Sequence, residues 1–143
     1  MSSQGLESID HTVHLTHEWI NELSARLGYS SKRSALRLMR EALHAVRDRL
    51  LVDEVAQFSA QLPLLIRGML FENWVPKNTP VKERKIEAIA ADIGKVMDDD
   101  SEYRGIEDIA CVFDLLNNRI SRGEIEDIRA SLPESLRALW AAP

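Results

Sequence analysis

Apolar residues recur along most of this chain at steps of three and four, the period of a helix with one buried face. Val13, Ile20, Leu23 and Leu27, flanked by Trp19, form such a face and predict a helix over residues 11–27. Gly28 supplies a left-handed stop. Ser30 or Ser31 can cap a second helix, whose stripe is Leu36, Met39, Leu43, Val46 and Leu50. After a short turn, a third helix is expected over 53–60. Pro63 lacks an amide hydrogen and turns Leu62 away from helical angles, but suits the opening of a short helix over 63–71. Residues 72–79, with Trp74, Pro76 and Asn78, show no period and read as a linker. Pro80 is expected to open the next helix, which carries Ile86, Ile89, Ile93 and Met97 on one face. Residues 98–101 should break it, and helices over 104–117, 123–130 and 133–140 complete the chain. Residues 1–9 are unpatterned and read as a loose end. No segment reads as a strand.

The second half repeats the first. Under a shift of 70 residues, Arg49, Glu54, Ala60, Leu62, Pro63 and Arg67 fall on Arg119, Glu124, Ala130, Leu132, Pro133 and Arg137. Mismatches keep their apolar character, as with Leu50 and Ile120 or Phe58 and Ile128. The expected architecture is all-α, with about eight helices in two pseudo-symmetric four-helix halves, each long, long, short, short. The halves span about 11–74 and 80–140. Two repeats are few for an open solenoid, so one closed bundle forming a single domain is expected.

Composition narrows the function classes. The 143 residues are 45% hydrophobic and 29% charged, enough for a real core and far from disorder. Nothing before Leu15 resembles an apolar signal core, and no apolar run reaches membrane-spanning length, so a cytoplasmic protein without a membrane partner is expected. The net charge of -5 argues against a nucleic-acid partner, because the basic patch of Lys32, Arg33, Arg37 and Arg40 is outnumbered by acidic residues elsewhere. The single cysteine, Cys111, lies in an apolar helical stretch and reads as a core thiol.

Residues that recur in both halves are expected to hold the fold. Arg49 with Glu54, and Arg119 with Glu124, should each tether a long helix to the short one after it; Ser121 and Glu124 also have capping-box spacing. Arg67 and Arg137, each four residues past its proline, should tie the Leu-Pro corner. Residues present in one half only are freer to serve function. Arg47 falls beside Leu36 and Leu43 on the helical wheel, so its guanidinium is partly covered and could offer a fork to a carboxylate or phosphate. Arg40 lies on the same edge, and His44 and Trp74 complete a candidate ligand-binding set. Trp74 is expected to seal the joint between halves or to project towards a partner. His14, His17 and Glu18 are weak metal candidates, because His11, His14 and His17 diverge over about 120° of helix. Asp98, Asp99, Asp100 and Glu102 lack the glycine of a calcium loop and read as a helix stop.

The run Ala45-Val46-Arg47-Asp48-Arg49-Leu50, then Glu54, Ala60-Gln61-Leu62-Pro63, Arg67-Gly68 and Trp74, resembles a bacterial family known as domain of unknown function 2267. Gly123-Glu124, Leu132-Pro133 and Trp19-Ile20-Asn21-Glu22-Leu23 fit the same pattern. The resemblance covers nearly the whole chain and implies a helical fold and a bacterial cytosolic origin, but no activity. The family pattern favours proline after the Arg-Asp-Arg-Leu run, where this chain has Leu51-Val52. No nucleophile elbow, phosphate-cradling glycine loop or dinucleotide fingerprint is present, and no cofactor is expected. The chain therefore reads as a non-catalytic binding or interaction module whose partner is another protein or a second copy of itself. The alternative is a small-ligand or metal-binding protein using a pocket between the halves.

Overall fold

The computed structural model describes residues 5–97 and 102–143, and every regular element among them is a helix. The order is α1 (Glu7–Leu27), α2 (Lys32–Arg47), α3 (Val52–Ala60), α4 (Leu64–Leu70), a 3-10 turn at Pro76–Asn78, α5 (Ile86–Val96), α6 (Ile106–Arg119), α7 (Arg122–Ser131) and α8 (Glu134–Leu139). The stops work as the residues dictate. Gly28 takes φ 74° and returns its amide to the Ser24 carbonyl, closing α1. Ser31 accepts from the Ser34 amide and caps α2. The expected break at 98–101 lies outside the described residues.

Two boundaries differ from expectation. Helix α1 starts at Glu7, so residues 7–9 are helical and not a loose end. The Leu6 carbonyl accepts the amides of Ile9 and Asp10, both at 3.1 Å, while Glu7 and Asp10 complement the positive end of the helix. Helix α5 starts at Ile86, six residues after the proline expected to open it. The Val81 amide instead donates to the Asp48 carbonyl at 2.7 Å, pinning the segment after Pro80 to the end of α2. The Lys85 amide is taken by Glu83 Oε1 at 2.7 Å.

Helices α1, α2 and α6 form the centre: α1 packs on α2, α4 and α6, and α2 also touches α4, α5 and α6. The short pairs sit outside them, with α3 against α7. One apolar core runs through all eight helices, including Trp19, Leu23, Leu38, Met39, Phe58, Ile66, Ile89, Phe113 and Trp140. Val13, expected on the core face, is exposed, because the first turns of α1 extend past the helices that bury the rest of its stripe.

Candidate functional site

The second helix carries the expected ligand-binding residues Arg40, His44 and Arg47 on one stripe, and the structure turns all three onto α4. Arg47 is only 4% exposed. Its Nη1 donates to the carbonyls of Leu70 at 2.7 Å and Glu72 at 2.8 Å, and its Nε to Asp48 Oδ1 at 2.9 Å. His44 Nε2 lies 2.7 Å from the Met69 carbonyl, which can only accept, so the hydrogen sits on Nε2. Arg40 pairs with the Glu72 carboxylate at 2.9 Å. A seven-residue helix is marginal alone, and its last carbonyls lack intrahelical partners. Cationic and N–H donors from α2 satisfy those carbonyls where the helix dipole is negative. Of the donors expected to be open to a ligand, those of Arg47 and His44 are thus bonded to the chain itself, while Arg40 is ion-paired with Glu72.

Trp74 is half-buried against the core and tilts onto Phe71 with ring centroids 5.4 Å apart. Its Nε1 is buried without an acceptor among the described residues, and packing against Phe71 and the core holds the ring. His44 borders a recess of about 340 Å³ together with Glu41, Asp48, Glu83 and Asp92. His14 and Glu18 meet at 3.1 Å on an exposed face of α1. His17 does not join them, and among the described residues no three metal-ligating side chains gather.

The recurring residues behave in two ways. Arg67 donates to the carbonyls of Ser59 at 2.9 Å and Leu62 at 3.4 Å. Arg137 donates to those of Arg129 at 3.0 Å and Leu132 at 2.7 Å, eight and five residues back in each case. The expected tethers Arg49–Glu54 and Arg119–Glu124 do not form. Arg49 donates to the carbonyls of Glu83 and Ala45, both at 3.1 Å, and Glu54 Oε1 accepts the Leu51 amide at 2.8 Å. Arg119 reaches across to α1, where Glu22 Oε1 lies 2.9 Å from its Nε. Glu22 also accepts from Arg26 and Asn118, so this one carboxylate draws Arg119 away from Glu124. The Ser121 side chain makes no capping bond, in contrast to the expected capping box.

A charged cluster that sequence reasoning missed lies at the opposite end. Asp108, fully buried near the start of α6, accepts the Tyr29 hydroxyl at 2.6 Å and the Arg104 amide at 2.8 Å. Arg104 Nη2 lies 2.7 Å from Asp108 Oδ1 and also donates to the Leu27 carbonyl at 2.7 Å. Hydrogen bonding to Asp108 holds the Arg104 guanidinium above its ordinary pKa. Glu102 accepts the Ser30 amide and hydroxyl nearby, so the α1–α2 corner is clamped to the start of α6. The legible signal was a carboxylate four residues before Val112, on the stripe that also carries Leu115. Burial, helped by the charges of Asp108 and Asp114, pushes the Cys111 thiol up and keeps thiolate scarce.

Tyr103 donates to the Ala90 carbonyl at 2.7 Å, and burial, with Asp108 adding to it, pushes its phenol up to about 12. Its folded pKa is above the unfolded value of about 10. The contribution is therefore fully present below pH 10 and lost as pH rises through about 12. Tyr103→Phe should flatten the alkaline fall in stability over that window, and alkaline melts compared with phenolate absorbance check this. An unchanged pH profile would refute it.

A cleft of about 380 Å³ separates the start of α3 from the α7–α8 corner, with the 80–85 segment as its third wall. Arg49, Arg84 and Arg137 line it, together with Glu54 and Glu134.

The fold and these sites define an all-helical domain in which Arg47, Arg67, Arg104, Arg129 and Arg137 bond carbonyls at or near helix ends. The chain belongs to the family described as uncharacterized conserved protein (DUF2267), which it matches over residues 16–139. Among curated proteins none matches this chain.

Proposed function

We propose that this chain is a non-catalytic interaction module that docks a helical partner on the apolar face shared by the starts of α1 and α4. One observation carries the reading. The stripe of α1 that is buried from Thr16 to Leu27 runs on through Val13 and Ile9, which are 40% and 52% exposed. On α4, Leu64 is 63% exposed and Leu65 43%. The Thr12 hydroxyl accepts the Leu65 amide at 3.0 Å, which joins the first turns of α1 to the start of α4. Large apolar side chains exposed on two joined helices suit an interaction site. Ile9 and Val13 stand four residues apart, the spacing of anchors on one helix face.

The occupant we favour is a second copy of the chain, since a two-fold axis sets one such face against its like. Antiparallel pairing of α1 would bring Glu7 and Asp10 of one copy towards the histidines at 11, 14 and 17 of the other. Light scattering should then find a dimer, and Ile9→Glu or Leu64→Glu should yield a monomer that melts within about 1 kcal/mol of the parent. A parent that stays monomeric at high concentration would sink the reading.

The alternative ligand or metal role for Arg47, Trp74, Arg40 and His44 has less support, because Arg47 and His44 already bond the end of α4 and Arg40 is paired with Glu72. The same reading takes the chain to be a bacterial, cytosolic, single-domain protein without nucleic-acid partners or cofactors, made by duplication of a four-helix unit. Supporting the duplication are the shared helix order and the matching bonds of Arg67 and Arg137. No helix of the described residues is long and apolar enough to cross a membrane.

A further inference from the structure

Three guanidinium groups line the cleft between α3 and the α7–α8 corner, and none lies within ion-pair distance of a described carboxylate. Arg49 and Arg137 donate only to backbone carbonyls, through two nitrogens each. The Arg84 guanidinium makes no hydrogen bond to the described residues; that residue is held through its carbonyl, which accepts the Ser135 hydroxyl. Elsewhere Arg26, Arg40, Arg47, Arg104, Arg119 and Arg122 sit against carboxylates, while Arg67 and Arg129 also bond only backbone carbonyls. With Glu54 and Glu134 on the same walls, the three guanidinium groups leave the cleft one positive charge in surplus, which an anion would offset. Burial depresses the Arg49 pKa, with Asp48, Glu83 and Asp92 opposing it.

We propose that this cleft binds a small phosphate ester, its phosphate held by Arg49, Arg84 and Arg137. Guanidinium forks match the oxygens of phosphate, and three of them line the cleft from separate elements: the turn after α2, the 80–85 segment and α8. The volume of about 380 Å³ suits a small molecule. Glu54 and Glu134 border the same space and select against a bare polyanion. They would accept from hydroxyl groups, so the ligand class is a phosphorylated polyol or sugar. The walls made by Leu51, Pro80, Leu132 and Pro133 cover its carbon skeleton. The site is independent of the apolar face of α1 and α4, and either could fail without the other.

Glucose 6-phosphate is the probe, titrated into the full chain at fixed ionic strength with glucose as the uncharged control. Amide resonances are followed by NMR. Shifts should gather at residues 51–54 and 130–137 for the phosphate ester and be absent for glucose. Arg84→Ala should weaken binding about tenfold or more, as loss of a charged fork implies, and leave the ligand-free melting temperature unchanged because its guanidinium supports no other group. Arg122→Ala removes the same charge from an exposed Glu126 pair outside the cleft and should bind like the parent. Absence of binding in the millimolar range, equal weakening by both substitutions, or shifts centred elsewhere would each overturn the proposal.

Discussion

Replacing Trp140 by alanine should cost about 3–5 kcal/mol, the largest single-residue loss expected in this fold. Trp140 lies one residue beyond α8, near the end of the chain, where side chains are usually poorly held. Here the indole is completely buried. It stacks on Phe113 with centroids 4.5 Å apart and planes 7° from parallel, and its Nε1 donates to Asn117 Oδ1 at 2.7 Å. Its carbonyl accepts Arg129 Nε at 2.6 Å, and Asn117 Nδ2 donates to the Ala141 carbonyl at 2.9 Å. Alanine would leave a ring-sized void beside Phe113 and strip Asn117 of a donor. A fall in melting temperature of roughly 10 °C or more follows for a chain of this size. Trp140→Phe keeps most of the stacked area and loses the hydrogen bond, so it should cost only about 1–2 kcal/mol. Scanning calorimetry on both variants is the check. An alanine protein that melts with the parent would show that the last residues do not dock on α6.

Asp108→Ala should be nearly as damaging, by about 3 kcal/mol, because it orphans groups rather than opening a large hole. The Tyr29 hydroxyl and the Arg104 amide would lose their acceptor, and the anchor of the α1–α2 corner would go with them. The carboxylate is fully buried, so the loss should change little between low and moderate salt. Tyr29→Phe removes only the hydroxyl and should cost about 1 kcal/mol. In the double variant the two losses should fall short of their sum, since both delete the same bond. Strict additivity would mean that the Tyr29–Asp108 contact contributes nothing.

Charge was harder to read from the sequence than apolar pattern was, and particular residues show why. The stripe Leu36, Met39, Leu43, Val46, Leu50 needs only its own period to predict burial; the last four are buried and Leu36 is partly so. Gly28 and Ser31 act through bonds that close within four residues, so their roles were visible locally. Arg49 and Arg119 were expected to pair with glutamates five residues on. Each instead found an acceptor that only folding brings near, the Glu83 carbonyl and the Glu22 carboxylate. Arg47 looked available for a ligand because the end of α4, which takes its donors, lies 23 residues away in the chain. Pro80 was given a helix that its neighbour Val81 declines by bonding to Asp48.

By itself the sequence determined that the chain is helical, where most of its helices end and which stripes form the core. Those properties depend on the 3.6-residue period and on caps whose partners lie within a turn. Tertiary structure alone decided which carboxylate each arginine meets, that Asp108 is buried beneath Tyr29, and that the first turns of α1 overhang the bundle with Ile9 uncovered. It also decided that Arg49, Arg84 and Arg137 share one cleft. Long flexible side chains can reach many partners in an unfolded chain, and only the packing of helices fixes which of them is within a few ångströms.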